Sequence, residues 1–154
     1  MNNRSTAKGD ASPVRSSEEN RRRHLIEVTL DSLAELGYVG TTLVQIAGRA
    51  DVSPGLVAHY FADKDGLLAA AFRALLRRVS KQVRLRLAAA DTPRARIQAV
   101  IDGHLAPEEF DQRTGRAWLA FWGQTPQVES LGRIQAVYQH RMLSNLLSSL
   151  KRLM

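Results

Sequence analysis

Cysteine is absent from the 154-residue sequence, which removes disulfides, thiolate metal sites and cysteine nucleophiles together and fits a reducing compartment. Aromatic residues make up only 6% of the chain and prolines number five, so the position of each is informative. No apolar run approaches the roughly 20 residues that span a bilayer. The polar segment from Met1 to Ser17 lacks the apolar core of a signal peptide, and the expectation is a cytoplasmic protein without a membrane partner. Acidic residues are also in short supply, 15 against 22 Lys/Arg, leaving a net charge of +7. That excess does not itself point to nucleic acid, because Met1 to Lys64 holds eight basic and eight acidic residues and is neutral.

What is present reads as helix throughout. No segment alternates like a strand and no fixed-period repeat occurs, so an all-α fold is expected. Met1 to Ser17, rich in Asn, Ser, Lys, Arg and Gly, is expected to be a disordered arm. From Glu18 onward Leu25, Ile26, Thr29, Leu30, Leu33 and Leu36 recur at helical spacing, and Gly37 suits a left-handed C-terminal cap. Thr42 and Gln45 form a capping-box pair ahead of Leu43, Ile46, Ala47 and Ala50. Asp51-Val52-Ser53 interrupts that helix, Ser53 is a good N-cap, and Pro54 at the first helical position opens a helix over Leu56 to Phe61. Asp63 caps a longer amphipathic helix that aligns Leu67, Leu68, Ala71, Phe72, Leu75, Val79 and Val83 and ends near Ala90. Further helices are predicted from Pro93 to about Leu105, from about Pro107 to Gly123, and from Pro126 to the end.

Two short helices joined by a tight turn make a helix-turn-helix, whose second helix enters the DNA major groove. The residue types suit that task. Thr42 stands at one helix N-terminus, and Ser53 and Pro54 at the other, where free N–H groups and the positive dipole end favour phosphate. Gly55 and Ala58 are small enough for close approach, His59 and Tyr60 can reach phosphate or a base edge, and Lys64 can clamp a flanking phosphate. The same pattern also occurs in helical proteins that never touch DNA, with Tyr60 and Phe61 as plain core and His59 as a solvated surface residue. The turn residue, usually glycine because its backbone is left-handed, is here Asp51.

The run "TTLVQIAGRADVSPGLVAHYFADKDGLL", preceded by "LAELG", closely resembles the DNA-binding head of TetR-family transcriptional repressors. The resemblance implies a three-helix head over 18–62, followed over 63–154 by a long connecting helix and a helical ligand-sensing and dimerisation domain. It implies that Thr42, Ser53, Pro54, Gly55, Ala58, His59, Tyr60 and Lys64 face double-stranded DNA at a palindromic operator, while Val52, Leu56, Val57 and Phe61 hold the head together. Beyond the head, "RAWLAFW" and "HRMLSNLLSSLKR" are similar to the branch of that family that represses glycine betaine synthesis in response to choline. Choline or betaine aldehyde is then the implied inducer, with no enzymatic activity and no cofactor. Members of the family form homodimers through two further C-terminal helices. This chain reaches Met154 within what resembles the helix preceding them, so the resemblance implies an incomplete sensing domain. Leu143, Leu146, Leu147, Leu150 and Leu153 are then expected to lie partly uncovered. The alternatives are a TetR-type regulator of a lipophilic cation or acyl ligand, and a truncated helical interaction module without DNA-binding activity.

Trp118 and Trp122, four residues apart, share one helix face with Phe121 nearby. Aromatic faces hold quaternary ammonium groups, and Glu108, Glu109 or Asp111 is placed to balance the charge; an aromatic stripe of this spacing is also what ordinary packing produces. His24 with Glu27, and His104 with Glu108 and Asp111, lack any recognised metal-ligand spacing, so no metal is expected. No local signature of an activated nucleophile or phosphate-binding glycine loop is present.

Overall fold

A computed structural model describes residues 13–107 and 111–152, the side chains of residues 13–16 excepted, and these residues form seven helices with no strand. The first, α1 (Pro13–Gly40), starts five residues inside the segment expected to be an arm. Residues 1–12 of that segment lie outside the described residues. Leu25, Ile26, Thr29, Leu30 and Leu33 are buried, and Leu36 at the rim is 40% exposed. The buried hydroxyls of Thr29 and Ser32 donate to the carbonyls of Leu25 and Val28, so their burial leaves no donor unfilled. At Gly37 the backbone leaves helical geometry (φ 69°, ψ −179°), a conformation glycine adopts without a Cβ clash.

The capping box that opens α2 (Leu43–Arg49) is present in both directions: the Gln45 amide donates to Thr42 Oγ1, and the Thr42 amide donates to Gln45 Oε1. At its other end the Val52 amide reaches the Ala47 carbonyl and the Asp51 amide that of Gly48. With Asp51 at φ 53°, this is a Schellman closure, the left-handed turn read from the sequence. Ser53 Oγ then accepts from Leu56 N to start α3 (Pro54–Phe61), and Asp63 accepts from Gly66 N to start α4 (Lys64–Ala88), which ends two residues before Ala90.

Thr92 caps α5 (Pro93–His104). Two predicted starts need correction. α6 (Gln112–Trp122) opens at Asp111 rather than near Pro107, because Asp111 supplies the carboxylate that caps Thr114 N. α7 (Glu129–Leu150) opens after Val128, and Pro126 sits in the turn before it, where the Gln127 and Val128 amides close back on the Gln124 carbonyl. Proline tolerates a first helical turn but equally suits such a turn, so by itself it does not locate the N-terminus.

The buried side chains of α1 to α4 continue without a break into Ala117 and Phe121 of α6 and Leu131 of α7. The first four helices therefore share one core with α6 and α7. A smaller cluster of Val79, Val83 and Val100 joins α4 to α5, with Leu146 of α7 packed on it. Leu146 is thus partly buried, whereas Leu143, Leu147 and Leu150 are about half exposed, and Leu153 lies outside the described residues.

Candidate nucleic-acid interface and ligand cavity

The α3 face read as the recognition surface turns outward. Val57 and Phe61 anchor the helix from behind, both buried, while Ser53, Pro54, Gly55 and His59 are exposed and Ala58 and Tyr60 half-buried. Thr42 at the start of α2 is also exposed. Nothing crowds Gly55: a Cβ built there meets only Ser53 Oγ, at 4.0 Å. The arrangement follows from the chain. With the box at Thr42, the closure at Asp51 and the cap at Ser53 each in place, α2 and α3 have a fixed angle and two N-termini open to solvent.

The cations around this face are held by other protein groups. Arg22 of α1 donates to the Tyr60 carbonyl at 2.7 Å, and its guanidinium lies 4.5 Å from the centre of the Phe61 ring, closing the C-terminal end of α3. Lys64, half-buried, donates to the Tyr38 carbonyl at 3.3 Å and sits over the Tyr38 ring. A lysine carries three N–H donors, so this bond orients Lys64 and leaves donors over. Partial burial, with the Asp65 carboxylate nearby, raises the Tyr38 phenol above its ordinary value. Arg49 pairs with Glu35 at 2.6 Å, and that hydrogen bond holds the Glu35 carboxyl below its usual range.

A cavity of about 650 Å³ opens between α4, α5, α6 and α7. Its walls are Phe72, Leu76 and Val79 from α4, His104 from α5, Gly115, Trp118, Leu119 and Trp122 from α6, and Gln135, Tyr138, Gln139 and Met142 from α7. The Trp118 and Trp122 rings lie 5.4 Å apart, and Phe72 meets Trp118 edge-on at 5.9 Å. Phe121 is not part of this wall, contrary to the sequence reading. It is fully buried and stacked on Phe72 at 4.7 Å, because it lies about 100° of helical rotation from Trp122, on the side facing the core. Nor does Asp111 serve the cavity. Its carboxylate caps α6, and the Thr114 hydroxyl, then the Thr114 amide, holds it below the usual range. Glu108 and Glu109 lie outside the described residues. Sequence reasoning missed Phe72, Tyr138 and Gln135 as wall residues. Their helical phase is legible, but the pairing of their helices is not.

The opposite side of α6 holds the head. Arg113 reaches the Glu27 carbonyl of α1 at 3.1 Å and its carboxylate at 3.4 Å, and also pairs with Asp31. Arg78 of α4 takes the other Glu27 oxygen. Glu27 is therefore committed to arginines, and His24 beside it is exposed. Among the described residues no three His, Asp or Glu side chains gather into a metal-binding group, and no helix is long and apolar enough to cross a membrane.

Comparison with known proteins matches this architecture segment by segment. The family model "Bacterial regulatory proteins, tetR family" matches residues 25–71, and the model "BetI-type transcriptional repressor, C-terminal" matches residues 93–154. The chain is 45% identical over 129 residues to the HTH-type transcriptional regulator BetI of Burkholderia mallei, covering 83% of this chain and 66% of that protein. To the regulator of the same name from Stenotrophomonas maltophilia it is 38% identical over 143 residues, covering 92% and 73%. A crystal structure of a transcriptional regulator from Pseudomonas aeruginosa PAO1 superposes with a TM-score of 0.82 at 33% identity, over 88% of this chain and 66% of that one. A regulator from Saccharomonospora viridis, solved in complex with choline, shares the fold at TM-score 0.75 and 16% identity, over 87% and 70%.

Proposed function

Because the chain belongs to the TetR family of bacterial regulatory proteins and carries that family's BetI-type C-terminal region, we propose that it is a cytoplasmic transcriptional repressor that docks α3 in the major groove of a palindromic operator. The families it matches are regulators, which are not enzymes. The observation that carries the reading is the α3 surface of Ser53, Pro54, Gly55 and His59, exposed on one side and anchored by buried Val57 and Phe61 on the other. Thr42, Ala58, Tyr60 and Lys64 complete the contact surface. A homodimer sets two such helices about one turn of DNA apart or slightly more, and the half-exposed Leu143, Leu147 and Leu150 of α7 are available to its interface.

The inducer we propose is choline or betaine aldehyde, bound against Trp118 and Trp122, with genes of betaine synthesis as the target. The aromatic wall supports a quaternary ammonium, as does the choline bound to a regulator of the same fold. The cavity volume favours a second reading, a bulkier lipophilic cation, since about 650 Å³ exceeds what choline fills. Choline that leaves an operator complex intact, while a long-chain quaternary ammonium dissociates it, selects that alternative.

Gly55→Glu tests the docking directly. The site has room for a side chain, and an acidic residue in the first turn of a helix is neutral to stabilising, yet it places a negative charge where phosphate would lie. Operator affinity should fall by at least about tenfold, roughly 1.4 kcal/mol, with the thermal melt unchanged. Undiminished affinity in fluorescence anisotropy would remove α3 from the interface.

A further inference from the structure

Two buried polar atoms on residues of the cavity wall have no partner among the described residues: Nε2 of His104 and Oε1 of Gln135. The orientation of the imidazole fixes what the first offers. His104 Nδ1 lies 2.7 Å from the Val100 carbonyl, which can only accept, so Nδ1 donates, and in the tautomer this contact selects Nε2 presents a lone pair. Gln135 Oε1 is likewise an acceptor. The two belong to α5 and α7, which pack against each other, and Tyr138 stands edge-on to His104 at 5.9 Å. Buried acceptors are ordinarily filled. Here two unfilled ones belong to residues of a wall that also carries Trp118, Trp122 and Tyr138 and holds neither Lys nor Arg.

We propose that His104 and Gln135 are specificity-determining residues that read a hydroxyl group on the ligand: the methylated ammonium lies against Trp118 and Trp122, and the hydroxyl donates to His104 Nε2 or Gln135 Oε1. This rests on the aromatic-cation reading above and narrows it to an ammonium alcohol. An ether, a free aldehyde or a carboxylate brings a further acceptor to two acceptors and is disfavoured, as happens when a site built to bond a hydroxyl receives an analogue without one. Both atoms are screened from solvent, so engaging them turns side chains of α5 and α7 toward the ligand. Binding and an adjustment of the α5–α7 wall are then one event.

The sequence contains two tryptophans, and both line the cavity, so intrinsic fluorescence of the full chain reports on this site. Choline, its O-methyl ether and propyltrimethylammonium, which replaces the hydroxyl by a methyl group, are titrated against the wild type, His104→Phe and Gln135→Leu. Choline should bind wild type about tenfold or more tightly than either analogue. At least one variant should cut that preference to about threefold or less while holding affinity for the propyl compound within about twofold. Equal affinity of wild type for choline and the propyl compound overturns the hydroxyl reading and leaves the aromatic-cation reading standing. A preference retained in both variants overturns the assignment to His104 and Gln135. Failure of all three compounds to bind removes both readings. The wild-type comparison needs no variant to fold, and circular dichroism confirms the fold of each variant used.

Discussion

Ala62 occupies φ 65°, ψ −60°, and the amide of Asp63 closes on the Phe61 carbonyl at 2.8 Å, a γ-turn of the hand that strains an L-residue. This turn swings the chain from α3 into α4 and so sets the direction of α3. Ala62→Gly should raise the unfolding free energy by about 1 kcal/mol, the roughly 1–3 kcal/mol of strain less the backbone entropy that glycine adds. A higher urea midpoint at constant slope is the expected result, and an unchanged midpoint means the turn stores nothing. Asp111 supplies a pH-dependent counterpart. Hydrogen bonds from Thr114 depress its carboxyl in the fold. Its contribution is therefore fully present above the ordinary carboxylate value of the unfolded chain and is lost as pH falls through the lower folded value. Asp111→Asn keeps an N-cap acceptor and should flatten part of the acid-side decline in stability while changing the neutral-pH value by about 1 kcal/mol or less. Urea melts over a pH series read both.

At the scale of elements, caps predict better than breakers. Thr42, Ser53 and Asp63 each start a helix where the sequence places them, because a cap is satisfied by an amide three residues away, and Pro93 opens α5 as read, with Thr92 as the cap ahead of it. Pro107 and Pro126 mislead because proline is compatible with several local conformations, and the amides of neighbouring turns decide among them. The packing of α4 on α5 depends on a close approach that no local rule reveals. A Cβ at Gly103 would lie 2.6 Å from both Val83 Cα and Val83 Cγ2. Gly103→Ala should therefore cost about 1–2 kcal/mol, overpacking of roughly 1–3 kcal/mol partly offset by alanine's better helix propensity. Because His104 is the next residue, the same substitution should weaken ligand quenching of the cavity tryptophans. A variant as stable as wild type would mean that the two helices part without penalty.

Across the whole molecule, α6 faces two ways. Trp118 and Trp122 line the cavity, and Arg113 holds Glu27 and Asp31 of the head. Those ion pairs are a third or more exposed, so each adds only about 0–1 kcal/mol to stability, and their interest lies in connection. Linkage requires that whatever factor an inducer takes from operator affinity, the operator takes from inducer affinity. Arg113→Ala should bring both factors closer to one while leaving inducer affinity of the DNA-free protein within about twofold, measured by anisotropy and tryptophan quenching. Undiminished factors would place the connection elsewhere. The amino-acid sequence alone determined that the chain is helical, where most helices start, and that Asp51 turns left-handed, all of which depend on residues within about four positions of one another. That Val57 and Phe61 turn inward while Gly55 and His59 turn outward came from the resemblance to the TetR family, not from local spacing. Only the tertiary structure decided that Phe121 belongs to the core and not the cavity, that Lys64 and Arg22 are held by carbonyls of distant helices, and that His104 of α5 and Gln135 of α7 line one cavity. Those outcomes depend on which helix lies against which, and periodicity in a chain specifies the buried face of a helix without naming the neighbour that covers it.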